Sequence, residues 1–222
     1  MALKKTFAIL APVVCLAVLS LPLRAGVLSF DFSGGDGGFT NDSDWSYGAG
    51  SWNLASANNL NDGLYSPVIT ASGGEVTLQF SHTTNFESSW DGGVLGLSVG
   101  GGAYAYIPAS SFSANGYNAG TSITSGVNSN LGVTGLTGDV MFSGNSGGTK
   151  DSVLSLGSMS AGDTFQFRFL AASDASVANA NPWVITSASL TGVAGDEIPE
   201  PATFGLLAVG LGTLLVMRRR RA

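Results

Sequence analysis

This chain has little positive charge where a folded body would carry it, little histidine and almost no cysteine. Of its nine basic residues, Lys4, Lys5 and Arg24 lie near the start and Arg218 to Arg221 at the end. Only Lys150 and Arg168 fall between. From Gly26 to Glu197 these two cations face 14 Asp and Glu, a formal charge of −12. Such a body does not bind nucleic acid, because phosphate neutralisation needs a basic surface. The one cysteine, Cys15, lies in an apolar run near the amino terminus, preceded by Val13-Val14 rather than the small residue a lipoprotein signal needs. The body therefore has no disulfide framework, thiolate nucleophile or thiolate metal site. Its one histidine, His82, excludes multi-histidine zinc chemistry. Helix-favouring Lys, Glu and Arg are scarce in the body, and no stretch there repeats apolar residues at helical spacing, so no helix is expected.

Two segregated ends are present instead. Residues 1–25 read as a secretory signal peptide: Lys4 and Lys5 form the charged region, Thr6 to Leu21 the apolar region, and Leu23-Arg24-Ala25 the cleavage point. At the other end, residues 195–201 form a linker ending in Pro199-Glu200-Pro201. Residues 202–217 form an uncharged, mainly apolar run, about 24 Å long as a helix. This is slightly short for a membrane core of about 30 Å, and arginine snorkelling extends it. The tail 218–222 carries Arg218, Arg219, Arg220 and Arg221, which hold that side in the cytoplasm. A single transmembrane helix in that orientation places the body beyond the membrane, as the signal peptide also requires. The two prolines keep Glu200 extended and accessible just outside the helix.

Pro-Glu-Pro, a short apolar helix and an arginine cluster, in that order, resemble the PEP-CTERM sorting signal of Gram-negative bacteria. The resemblance runs from Ile198 to Ala222. It implies an exosortase as partner, export by the secretion machinery and a transient inner-membrane anchor. Delivery to the cell surface or extracellular matrix then follows.

Between the ends, residues 26–194 show period-2 alternation. In "EVTLQFSH", Val76, Leu78 and Phe80 face one way and Glu75, Thr77 and Gln79 the other. In "TFQFRFL", Phe165, Phe167 and Phe169 alternate with polar residues. "GVLSFDF", "VLGLSV", "AYAYI" and "WVITSASL" behave alike, and Gly-rich turns separate them. This predicts an all-β, antiparallel β-sandwich of the jelly-roll kind, large enough to bury a core without disulfides.

From Glu75 to Val193 the order of motifs resembles the jelly-roll modules, related to MAM domains, of immune-inhibitor-A-type secreted proteases. They include Asp91-Gly92-Gly93-Val94-Leu95, Gly116-Tyr117-Asn118, Phe142-Ser143-Gly144 and Trp183-Val184-Ile185. In that family they are accessory rather than catalytic. Thr186 stands where the family usually has Asp, which removes the basis for a shared cation site.

No chemistry-bearing set emerges. A Ser-His-Asp triad would depend on His82, which at a strand end reads as an ordinary surface or edge residue. Glycosidase chemistry needs two carboxylates across a cleft, and Glu75, Glu87 and Asp91 are the candidates. The glycine-rich strings lack the Lys-Ser/Thr of a phosphate loop. Asp42 and Asp44 in "NDSDWSYG" have alternate oxygen spacing that suits Ca²⁺ in a loop, although Tyr47 stands where a calcium loop needs Gly. No other cofactor is implied. Trp45, Trp52 and Trp90 sit near polar turns, where such rings can stack on sugars or pack in the core. The expectation is a non-enzymatic, structural surface or matrix protein associated with exopolysaccharide. A carbohydrate-binding module is the alternative.

Overall fold

The computed structural model describes residues 25–176 and 178–194. The signal peptide, the linker, Pro199-Glu200-Pro201, the apolar run 202–217 and Arg218 to Arg221 lie outside the described residues. No described helix is long and apolar enough to cross a membrane.

The described strands are β1 (Ala25–Asp31), β2 (Thr40–Asn41), β3 (Trp45–Gly48), β4 (Ser51–Leu54), β5 (Asn61–Tyr65), β6 (Ile69–Thr70) and β7 (Gly74–Thr84). They continue with β8 (Gly92–Val99), β9 (Ala105–Tyr106), β10 (Phe112–Ala114), β11 (Lys150–Met159), β12 (Thr164–Ala172) and β13 (Trp183–Ala194). One sheet has the order β10-β11-β7-β13-β4-β3, with β1 also on β13; the other runs β2-β5-β12-β8-β9, with β6 on β12. Successive long strands change sheet: β7 to β8, then β11 to β12 to β13. All pairings between these strands are antiparallel. This alternation between two sheets is the jelly-roll-like sandwich that the sequence pattern predicts.

Alternation decides which side chains meet between the sheets. Val76, Leu78 and Phe80 of β7 are buried, as are Phe165, Phe167 and Phe169 of β12. The inward series of β7 continues through His82 and Thr84. His82 is 1% exposed on a central strand, so the surface or edge reading is corrected. β11 carries a weaker signal because Ser and Gly dilute it, yet Ser152, Leu154 and Leu156 face inward. A register shift between Ser155 and Gly157 interrupts its regular pairing with β7. At Gly192 (φ +76°) an added Cβ would lie 2.1 Å from the Glu75 carbonyl oxygen, so only glycine fits where β13 crosses β7.

One helix, α1 (Ser125–Leu131), departs from the expectation of none. Its residues are poor helix formers, but Val127 and Leu131, four apart, are both buried. Gly132 ends the helix in the left-handed conformation (φ 73°). Tertiary burial of one face overrides propensity here.

The ends of the body define its polarity. Ala25 pairs with Ala194 at one end of β13, and Trp183 pairs with Thr84 at the other. At about 3.3 Å per residue these ends are about 35 Å apart. Both body termini leave from the first end; the second end is free.

Candidate functional site

Two constellations occupy the free end. The larger is a cleft of about 310 Å³ over the inner face of β7 and β11, beneath the segments 115–118 and 142–146. His82, Thr84 and Phe142 form its floor, Asn115, Asn118, Asn145 and Ser146 its walls, and Lys150 its rim. Lys150 reaches this position because the register pairs it with His82.

The floor is a directed hydrogen-bond chain. Trp183 Nε1–H, which can only donate, bonds His82 Nδ1 at 3.0 Å. His82 Nδ1 must then be unprotonated, and the neutral ring carries its proton on Nε2. Nε2–H donates to Ser152 Oγ at 2.9 Å, and Ser152 O–H donates to the Asn115 carbonyl at 2.6 Å. Burial pushes the His82 pKa down to about 4, against an opposing pull from the Asp151 charge. A protonated ring would set its own N–H against that of Trp183. His82 is thus a structural acceptor–donor with both nitrogens engaged.

The walls are held by backbone groups and, at Asn145, also by the Asn85 side chain. Asn118 bonds Ser143 twice: Nδ2 donates to the Ser143 carbonyl at 2.9 Å and Oδ1 accepts the Ser143 N–H at 3.0 Å. Asn115 Nδ2 donates to the Asp151 carbonyl at 2.7 Å. Asn145 donates to Asn85 Oδ1 at 3.1 Å and accepts the Gly147 N–H at 2.7 Å.

The second constellation is acidic. Glu87, Asp91 and Asp174 each offer a carboxylate oxygen, all within 4.8 Å of one another. Asp91 Oδ1 accepts the Asp174 N–H at 3.0 Å, and Asp174 Oδ1 accepts from Ser176. Glu87 Oε2 is buried without a hydrogen-bond partner. Burial raises the Asp91 pKa to about 6; the Asp174 and Glu87 charges add to this, and the hydrogen bond from Asp174 N–H opposes it. Three such carboxylates can share a proton or hold a cation. The space that Asp91 lines is only about 10 Å³, the size of one water.

The residues singled out in the sequence lie elsewhere. Asp42 Oδ2 accepts from the Gly63 N–H (3.0 Å) and the Tyr65 hydroxyl (2.9 Å). The turn beside it is organised by buried Asp62, whose Oδ2 accepts from Ser43 N (3.0 Å), Ser43 Oγ (2.7 Å) and Asp44 N (3.1 Å). Among the described residues Asp42 and Asp44 belong to no group of three His, Cys, Asp or Glu side chains close enough to share a metal, and their turn is hydrogen-bonded. Trp45 and Trp52 are buried, at 2% and 5% exposure, so the sugar-stacking expectation is corrected for both. Trp45 packs on Trp183, with ring centres 5.9 Å apart, and Trp52 Nε1–H bonds the Asp36 carbonyl at 3.0 Å. Trp90 is 38% exposed but does not line the cleft. Glu75 bonds Ser155 and Ser158 near the Ala194 end of the sheet, so it and Glu87 lie at opposite ends. Sequence reasoning named Glu87 and Asp91 as candidate carboxylates but missed that Asp174 joins them, and it missed the cleft. The period-2 extension from Phe80 to His82 is the sequence signal that could have pointed to the cleft floor.

The two titratable groups set opposite limbs of a pH–stability curve. His82 has a folded pKa below its unfolded value of 6.5, so its contribution is present above pH 6.5 and fades as pH falls towards 4. At about 1.4 kcal/mol per unit, this amounts to about 2 kcal/mol by pH 5. Asp91 has a folded pKa above its unfolded value of 3.8, so its contribution is present below that value and fades as pH rises through about 6. The full shift is about 3 kcal/mol, of which solvent screening beside exposed Trp90 leaves about 1 to 2. Melting curves from pH 4 to 8 should show Asp91→Asn melting roughly 3–6 °C above wild type at pH 8 and equal to it at pH 4. His82→Gln should flatten the loss between pH 6.5 and 4.5. If either variant keeps the wild-type pH slope in its own window, that assignment is wrong.

Residues 197–221 match the PEP-CTERM protein-sorting motif. The match implies exosortase as the processing enzyme, with export and a transient membrane anchor. It is confined to the tail and leaves the body unassigned. No curated protein matches the chain. Solved structures with similarity include the C-terminal CBM6 of LamC, a marine laminarinase from Zobellia galactanivorans, at 16% identity and TM-score 0.33, covering 75% of this chain and 99% of that one. A point mutant of the Emp46p carbohydrate recognition domain gives 12% identity and TM-score 0.44, covering 72% and 91%. A cleaved adhesin domain of Lys-gingipain from Porphyromonas gingivalis gives 16% identity and TM-score 0.34, covering 76% and 93%.

Proposed function

We propose that this chain is a non-enzymatic, structural protein of the cell surface or extracellular matrix of a Gram-negative bacterium, retained with exopolysaccharide after exosortase processing. The observation that carries the reading is the sorting motif at 197–221, following a body whose two ends leave from the same edge. A tether at that edge leaves the opposite end, with its cleft, pointing away from the membrane. Three observations support a non-enzymatic body. Both His82 nitrogens are committed to structure. Glu75 and Glu87 lie at opposite ends, and the space beside Asp91 is only the size of one water. The resemblance to accessory jelly-roll modules agrees with this.

The matrix role is tested by removing exopolysaccharide synthesis from the producing strain while keeping the exosortase. The processed protein should then move from the cell-associated matrix to the medium. Unchanged retention on cells without polysaccharide would remove the exopolysaccharide from this reading. A second reading, a carbohydrate-binding module of the cell surface, is favoured by the amide-lined cleft.

A further inference from the structure

We infer that the cleft at the free end binds a carboxylate-bearing sugar unit of an acidic polysaccharide, with Lys150 taking the carboxylate and the wall amides taking the hydroxyls. This rests on the proposed matrix reading and names the chemistry of its attachment. The first ground is charge. Residues 26–194 hold two cations against 12 carboxylates, yet the cleft lining contains one of those cations and no carboxylate. Asp151, next in sequence to Lys150, does not line the cleft; its carboxylate accepts from Ser81 Oγ. Among the described residues Lys150 has no ion-pair partner. A lone ammonium at the rim of a polar cleft, in an otherwise acidic body, selects a ligand carrying an isolated negative group. Contiguous polyanions are repelled by the surrounding charge.

The second ground is the donor and acceptor set. An amide side chain offers two N–H donors and an oxygen with two lone pairs. Asn115 and Asn145 each use part of that capacity to hold the wall, and Asn118 uses one bond at each end of its amide. Each keeps at least one further donor or acceptor for a ligand. Mixed donors and acceptors at short spacing match vicinal hydroxyls, each of which both donates and accepts. The third ground is rigidity and size. The Trp183–His82–Ser152–Asn115 chain fixes the floor, so little ordering entropy is lost on binding. A volume of about 310 Å³ is at the small end of ligand sites, with room for one or two sugar rings. No exposed tryptophan faces the cleft, so recognition is by charge and hydrogen bonds, which favours acidic over neutral glucans.

The test uses the full chain purified in mild detergent, titrated at pH 7 with an aldotriouronate, a single uronate unit on a neutral xylose pair, with the matching neutral xylo-oligosaccharide and sodium acetate as comparison arms. Saturable binding of the uronate is expected, with at least tenfold weaker binding of the neutral sugar and of acetate. Lys150→Met should weaken uronate binding at least tenfold without changing the melting temperature, and Lys150→Arg should restore most of it. Equal binding of the neutral sugar, equal binding of acetate, or full uronate affinity in Lys150→Met would each overturn the inference. Loss of uronate binding alongside polysaccharide-dependent retention in cells would overturn this inference and leave the matrix reading standing. Uronate binding with retention on polysaccharide-free cells would do the reverse.

Discussion

Replacing Pro199-Glu200-Pro201 with three alanines is expected to leave unprocessed protein in the inner membrane, its tail attached, where wild type is delivered outside the cell. The substitution leaves the apolar run 202–217 and Arg218 to Arg221 untouched, so insertion and orientation remain the same. It removes only the extended, proline-bracketed peptide that an exosortase would read. Replacing the four arginines should fail differently, by weakening retention and orientation of the helix before recognition. Fractionation with an antibody against the body, in a host that has the enzyme, separates the two. Normal surface delivery of the triple-alanine protein would reduce the segment to an ordinary tail anchor.

The second large effect is on stability. Trp183→Ala is expected to cost about 3–5 kcal/mol, the range for a fully buried large aromatic. At about 2–4 °C per kcal/mol for a domain of this size, the melting temperature should fall by roughly 6–20 °C. Trp183 is the hub of the core, with ring centres at 5.5 Å from Phe169, 5.7 Å from Phe142, 5.9 Å from Phe86 and Trp45, and 6.1 Å from His82. Its ring lies against Gly93, where a Cβ would approach Cζ3 to 2.3 Å, so the opposite sheet is shaped to receive it. The substitution also leaves His82 Nδ1 without its donor, which adds the cost of an unsatisfied buried acceptor. Trp183→Phe should fall between, and Trp90→Ala, at an exposed position, should stay within about 0.5 kcal/mol of wild type. A Trp183→Ala protein melting within about 3 °C of wild type would show that this cluster is not the core.

The contrast between Trp183 and Trp90 separates two kinds of information. Clustered arginines, a proline bracket, an acidic body without cysteine and alternation in β7 and β12 are relations between near neighbours in the chain. The sequence alone therefore determined the export address, the all-β class and the inward faces of the most regular strands. Long-range pairing decided the rest. Whether a tryptophan beside a polar turn is core or surface depends on what the opposite sheet presents, and Trp45 and Trp52 turned inward. Asp91 and Asp174 meet across 83 positions, and Lys150 reaches the His82 cleft only through the β7–β11 register, which a bulge at Gly157 resets. Helix α1 forms because Val127 and Leu131 find a surface to cover, not because its residues favour a helix. Such meetings depend on chain closure over tens of residues, and no local pattern encodes them.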